Sequence, residues 1–131
     1  MSITLTLVVY MAIVTWLLII VAALVRSKAW TASGLAVSFG NRDGVGDPGG
    51  FAGRTERTAR NTLENFVLFA ALALVANASN IASARVALGA QVFFWARLVY
   101  IPVYYAGVPY LRTAVWAVGV VGLGLMVAGL V

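Results

Sequence analysis

The residues best equipped for chemistry are arginines, carboxamides and phenols set within apolar sequence. One stretch, from Arg54, reads RTERTARNTLENF. On a helix at ~100° per residue with Arg57 set at 0°, Arg60 falls near ~300°, Asn61 near ~40°, Glu64 near ~340° and Asn65 near ~80°. All five then share an arc of about 140°, and the opposite face is Thr, Leu, Phe and Val. A second stretch places Arg97, Tyr100 and Tyr104 at i, i+3 and i+7, again on one face, and Arg112 and Thr113 follow. At this level Arg57, Arg60, Arg97 and Arg112, with Arg26 as a further candidate, stand against Glu64 and Glu56. Glu64 can pair with Arg60, four residues earlier. One carboxylate cannot satisfy four guanidinium groups, so the surplus calls for an anion, either a ligand or a lipid headgroup.

What is missing narrows the chemistry. The chain has no cysteine and no histidine. Disulfides, thiolate metal sites and cysteine nucleophiles are excluded, as are the commonest metal ligand and the commonest general base. No metal site is expected. Any reaction must run on Arg, Glu, Asn, Tyr, Ser and Thr, or on a group that the substrate brings. The net charge is +5, from nine basic and four acidic residues. Nucleic-acid binding would want those charges on a solvated surface. Several lie inside apolar segments instead, which points to membrane topology and an anionic ligand.

The elements that must position these residues are membrane spans. Of 131 residues, 63% are hydrophobic and 10% charged, with a mean hydropathy of +0.98. That is neither the composition of a disordered chain nor enough polarity to cover a soluble domain, in which about 25% of residues are charged. Residues 3–25 carry no charge and exceed the roughly 20 needed to cross the hydrocarbon core. Further helices are predicted at about 54–76, at 84–106 with a kink at Pro102, and at 110–131. Residues 26–53 form the loop after the first span. Within it Gly40–Gly53 holds six glycines and a proline, read as a connector rather than a mobile lid. The turn Asn77–Ser83 is short and polar, and Gly107-Val108-Pro109 is tight. Basic residues concentrate in the first loop and at Arg112, so the termini are expected outside and the glycine-rich loop in the cytoplasm. The prediction is an all-α membrane protein, one four-helix transmembrane bundle spanning 1–131. The four tryptophans read as belt or packing residues, and Gly119, Gly122, Gly124 and Gly129 as sites of close helix contact.

The string with Arg57, Asn61 and Glu64 resembles the Arg-x-x-x-Asn-x-x-Glu signature of the MAPEG family, membrane-associated proteins in eicosanoid and glutathione metabolism. The string from Phe94 through Arg97, Tyr100, Tyr104 and Gly107 to Arg112 and Thr113 resembles the third and fourth helices of that family. The resemblance implies a homotrimer with glutathione bound between neighbouring protomers, open to the cytoplasm. It implies Arg57, Asn61, Glu64, Arg97, Tyr100 and Tyr104 as glutathione ligands, joined by Arg60 and Arg26. Arg112 matches the arginine placed near the glutathione sulfur, and Thr113 stands where some members have a serine. Ala59 and Tyr100 occupy positions where some members carry histidine, which bears on the type of activity more than on the fold.

The residues suit that ligand on their own terms. Glutathione carries two carboxylates for arginine forks and an ammonium for Glu64, and Asn61 can donate and accept. A nearby cation lowers a thiol pKa from about 8.5. The expected function is a glutathione-dependent transferase or peroxidase acting on a lipophilic electrophile or hydroperoxide that enters from the bilayer, in a bacterial inner membrane. The competing expectation is a non-catalytic protein on the same scaffold, binding a lipid headgroup or serving as an accessory subunit. A cationic-drug transporter would want a membrane carboxylate in the first helix, and there is none.

Overall fold

The computed structural model describes residues 1–27 and 49–131. Within them the chain forms four helices: α1 (Ile3–Ser27), α2 (Gly50–Ala78), α3 (Ala84–Ala106) and α4 (Pro109–Leu130). Each is long and apolar enough to cross a membrane. Large apolar side chains such as Trp16, Val67, Leu68, Trp95 and Val121 face outward. Lipid solvates such a surface and water does not. The molecule is an integral membrane protein built as an all-helical, up-and-down bundle.

The helix ends follow from local chemistry. Ser83 caps α3 by accepting a hydrogen bond from the Val86 amide, as a serine N-cap does. Gly107 ends α3 at φ 76°, a left-handed conformation that glycine adopts without a Cβ penalty. Pro109 then occupies the first turn of α4, where its missing N–H removes no helical bond.

Three ends differ from the sequence expectation by two residues or more, one of them the end of α2, at Ala78 rather than about 76. α1 continues through Arg26 to Ser27. α2 begins at Gly50, four residues before Arg54, although Gly50 and Gly53 favour coil. Tertiary contacts hold this added turn. Phe51 packs edge-on against Tyr105 at 5.6 Å, and Arg54 Nε donates to the Tyr105 carbonyl at 3.1 Å. Lys28 and most of the glycine-rich segment lie outside the described residues. At about 1.5 Å per residue, the 29 residues of α2 span ~43 Å, more than the ~30 Å of hydrocarbon. Its arginine-rich first turns can therefore stand at the bilayer surface while its second half is submerged.

The core is made differently at the two ends of the bundle. Away from Gly107, Phe69 stacks on Phe93 with centroids 4.6 Å apart. Met11, Ala90 and Met126 are fully buried beside them. α3 and α4 touch backbone to backbone there. A Cβ added at Gly122 would lie 2.7 Å from the Phe93 nitrogen and 2.8 Å from the Gly89 carbonyl oxygen, and one added at Gly89 would collide with the Gly122 carbonyl. Toward Gly107, α2 buries Thr55, Thr58 and Thr62 completely. Thr55 and Thr58 donate to the carbonyls of Ala52 and Arg54, so these hydroxyls enter the interior satisfied.

Candidate functional site

Antiparallel packing of α2 on α3 turns two sequence stripes into a ladder. Arg54 meets Tyr105. Arg57 Nε donates to the Tyr104 hydroxyl at 3.1 Å. One turn deeper, Arg97 Nη2 donates to Asn61 Oδ1 and to Thr62 Oγ1, both at 2.8 Å. The Arg97 guanidinium also lies over the Tyr100 ring, 4.0 Å from its centroid. Tyr100 and Tyr104 meet edge to face at 5.5 Å. From α4, the Arg112 guanidinium sits over the Tyr104 ring at 4.6 Å.

Of these, Asn61, Tyr100, Tyr104 and Arg112 open, together with Thr113 and Trp116, onto a recess of about 240 Å³. Arg112 is half-buried and forms no hydrogen bond or ion pair with any described residue. Its five N–H donors are free for a ligand. Thr113 donates its proton to the Pro109 carbonyl at 3.2 Å and keeps its oxygen lone pairs. The Tyr104 hydroxyl accepts from Arg57, which leaves its O–H as a donor.

The remaining candidates are placed elsewhere. Arg97 is 1% exposed and is bonded inside the protomer rather than offered at a surface. Arg26 forms an ion pair with Glu56, Nη1 to Oε1 at 2.7 Å. With Arg60 this pair lines a second groove of about 290 Å³ between α1 and α2, whose other walls include Ile19, Ala22 and Leu63. Glu64 is exposed and lines neither hollow. The expected Arg60–Glu64 pair is not formed; Arg26–Glu56 is the one ion pair between described residues. The two side chains point apart, Arg60 into the groove between α1 and α2 and Glu64 outside it. Glu56 reaches a cation on the neighbouring helix. No group of three or more potential metal ligands exists among the described residues.

Two participants, Thr62 and Trp116, were not among the candidate site residues, and Asn65, placed on the polar stripe, was given no role. Thr62 is the second anchor of Arg97 and reads in sequence as part of the apolar face. Asn65 donates to the Asn61 carbonyl at 2.8 Å and to Asn61 Oδ1 at 3.3 Å. Trp116 lines the recess, four residues beyond Arg112 and three beyond Thr113. That helical spacing puts it on their face and could have distinguished it from a belt residue.

The sequence model of the MAPEG family matches residues 3–131. No curated protein matches the chain, and no solved structure does. The match covers essentially the whole chain and agrees with the four apolar helices, so the chain belongs to the MAPEG family.

Proposed function

From that membership and the geometry above, we propose that the protein is an integral-membrane, glutathione-dependent transferase or peroxidase. One observation carries the proposal: Asn61, Tyr104 and Arg112, from three helices, converge at a recess whose lining holds the unpaired Arg112 guanidinium and no carboxylate, with Arg57 bonded to the Tyr104 hydroxyl behind it. Such a wall suits the carboxylates and the sulfur of a glutathionate.

The recess in one chain is smaller than the ~300–1,000 Å³ of ordinary small-molecule sites. Arg26 and Arg60 open on a different groove, and Glu64 projects from the single chain without a partner among the described residues. An exposed carboxylate at membrane depth is unfavourable. A second copy that brings its α1–α2 groove against the recess would cover Glu64 and unite the two half-sites. This supports an assembly with glutathione between protomers, a homotrimer as the family resemblance implies, and it assigns Arg57, Asn61, Glu64, Tyr104, Arg60 and Arg26 to binding. With the positive-inside preference, the site faces the cytoplasm and both termini lie outside, in a bacterial inner membrane.

The chemistry needs no protein base. A guanidinium beside the sulfur favours thiolate over thiol, and each pKa unit of lowering corresponds to ~1.36 kcal/mol. Arg112 holds that role, with the Thr113 oxygen available to a ligand N–H. In transfer, the thiolate forms an S–C bond to a lipophilic electrophile, the leaving group departs with its electron pair, and the thiol proton goes to water. With a hydroperoxide, two glutathiones are oxidised to the disulfide while the peroxide is reduced to alcohol and water.

The test is ultraviolet difference absorbance of the detergent-purified protein titrated with glutathione at neutral pH. A saturable thiolate band is expected. Absence of the band together with absence of calorimetric heat would sink the proposal and favour lipid-headgroup binding or an accessory role on the same scaffold.

A further inference from the structure

We propose that Arg97 is a positioning residue rather than a ligand contact: it orients the Asn61 carboxamide so that the recess receives its N–H donors, which selects an acceptor oxygen of the ligand at this point. The proposal rests on the glutathione reading and specifies which end of that ligand meets Asn61.

The inference follows from what each group can do. A guanidinium donates and cannot accept. Arg97 Nη2 stands 2.8 Å from one atom of the Asn61 carboxamide, and that atom must therefore be the oxygen. Asn65 adds a second donor to the same oxygen at 3.3 Å. Both lone pairs of Oδ1 are then filled, and the carboxamide cannot flip without setting N–H against N–H. Its NH2 group makes no hydrogen bond to any described residue, and Asn61 lines the recess. By sequence alone Asn61 could donate or accept. Here only its donors remain.

Arg97 is itself held hard. Thr62 Oγ1 accepts from the same nitrogen, the Tyr100 ring covers the guanidinium, and the side chain is 1% exposed. Its Nε is buried without a partner. A buried cation short of one acceptor holds firmly to those it has, because losing another leaves charge uncompensated at low dielectric. Counted from Ala106, Arg97 lies nine residues in, ~13 Å along the helix. It is too deep to bind a ligand on the surface directly and well placed to fix one residue that does.

The Asn61 carboxamide therefore presents only donors to the recess and cannot receive an ammonium. A carboxylate or amide carbonyl oxygen of glutathione belongs there, and its ammonium belongs toward Glu64.

The discriminating variant is Asn61→Asp. Its carboxylate still accepts from Arg97, now as a buried ion pair, so the thermal unfolding midpoint in detergent should hold or rise. It presents no donor to the recess, so glutathione affinity should fall by roughly 30-fold or more, the loss of a charge-assisted bond plus repulsion of the ligand carboxylate. Arg97→Lys keeps a donor to Oδ1 and should recover more glutathione affinity than Arg97→Met when both are compared at matched stability. Retained or improved affinity in Asn61→Asp would overturn the proposal, because Asn61 would then be accepting from the ligand. A lowered unfolding midpoint in Asn61→Asp would overturn it as well, because Oδ1 would not be the atom that faces Arg97. If the wild-type protein gives no glutathione signal at all, the function proposed above fails, and the stability arm still decides the orientation of Asn61.

Discussion

At the Gly107 end of the bundle, α2 meets α3 through charged and polar side chains; around Gly122, α3 meets α4 through bare backbone. The first contact is directional. Arg57 to Tyr104 and Arg97 to Asn61 and Thr62 work only at one register of the two helices. The second contact is steric. It depends on the absence of side chains at Gly89 and Gly122, which lets helices approach closely in lipid, where no hydrophobic drive pushes them together. The difference shows where a ligand site can exist in so small a membrane protein. At the centre of the steric half, Gly89 and Gly122 leave no space between α3 and α4 for a side chain or a ligand. The directional half holds more cations than its carboxylates can match, and Arg112 is left with open valences above the Tyr104 ring. One half fixes the frame so that the other can keep unsatisfied groups facing a ligand.

Substitutions can separate the two halves. The largest expected effect lies in the directional half and touches reactivity alone. Arg112→Ala should lower turnover of a model electrophile by about 10²–10³-fold, the usual consequence of losing one preorganised electrostatic group. It should remove the thiolate band, leave glutathione binding largely intact and leave the unfolding midpoint unchanged. Turnover that survives this change would strip Arg112 of its role.

Next comes the steric half. Gly122→Leu places atoms against the Phe93 nitrogen and the Gly89 carbonyl, neither of which can rotate away. A loss of about 3 kcal/mol, the upper end of ordinary overpacking, is expected. Denaturant titration in mixed micelles measures it. Gly124→Leu, where an added Cβ meets nothing within 4 Å, is the matched control and should be near neutral.

Thr62→Val tests whether the Arg97 lock also carries stability. It removes one charge-assisted bond from a buried guanidinium and should destabilise by about 2 kcal/mol. Thr62 is fully buried and does not line the recess, so any loss of glutathione affinity must pass through Arg97 and Asn61.

The smallest effect is predicted for Glu56→Gln. The Arg26–Glu56 pair is partly exposed, with side chains 24% and 34% accessible, and a pair of this kind contributes about 1 kcal/mol or less. A larger loss in the assembled protein than in dissociated protomers would show that this groove is covered by a second chain.

Much of the frame was legible in the chain. The uncharged run 3–25 and the punctuation at Ser83, Gly107 and Pro109 mark helices and ends, because hydrophobic length and capping chemistry are local properties. The arginine–asparagine stripe of α2 and the tyrosine stripe of α3 could be seen separately for the same reason. The start of α2 could not. Gly50 and Gly53 signal coil locally, and a partner 54 residues away, Tyr105, overrides them at Phe51. Nor could the fate of individual charges be read. Glu64 at i+4 from Arg60 obeys the helix-pairing rule, yet Glu56 forms the ion pair, since its partner lies across an interface that spacing does not describe.

The sequence by itself therefore determined the solvent, the number of spans, the surplus of arginine over carboxylate and the identity of the face that carries it. All of these are sums or periodicities along one chain. Only the tertiary structure decided that Arg97 turns inward to hold Asn61 while Arg112 stays open, that Arg26 and Arg60 face a different groove, and that Thr62 belongs to the polar network. Those outcomes depend on which atoms antiparallel helices bring within about 3 Å of each other, the reach of a hydrogen bond, and on the burial that makes one donor indispensable and leaves another free.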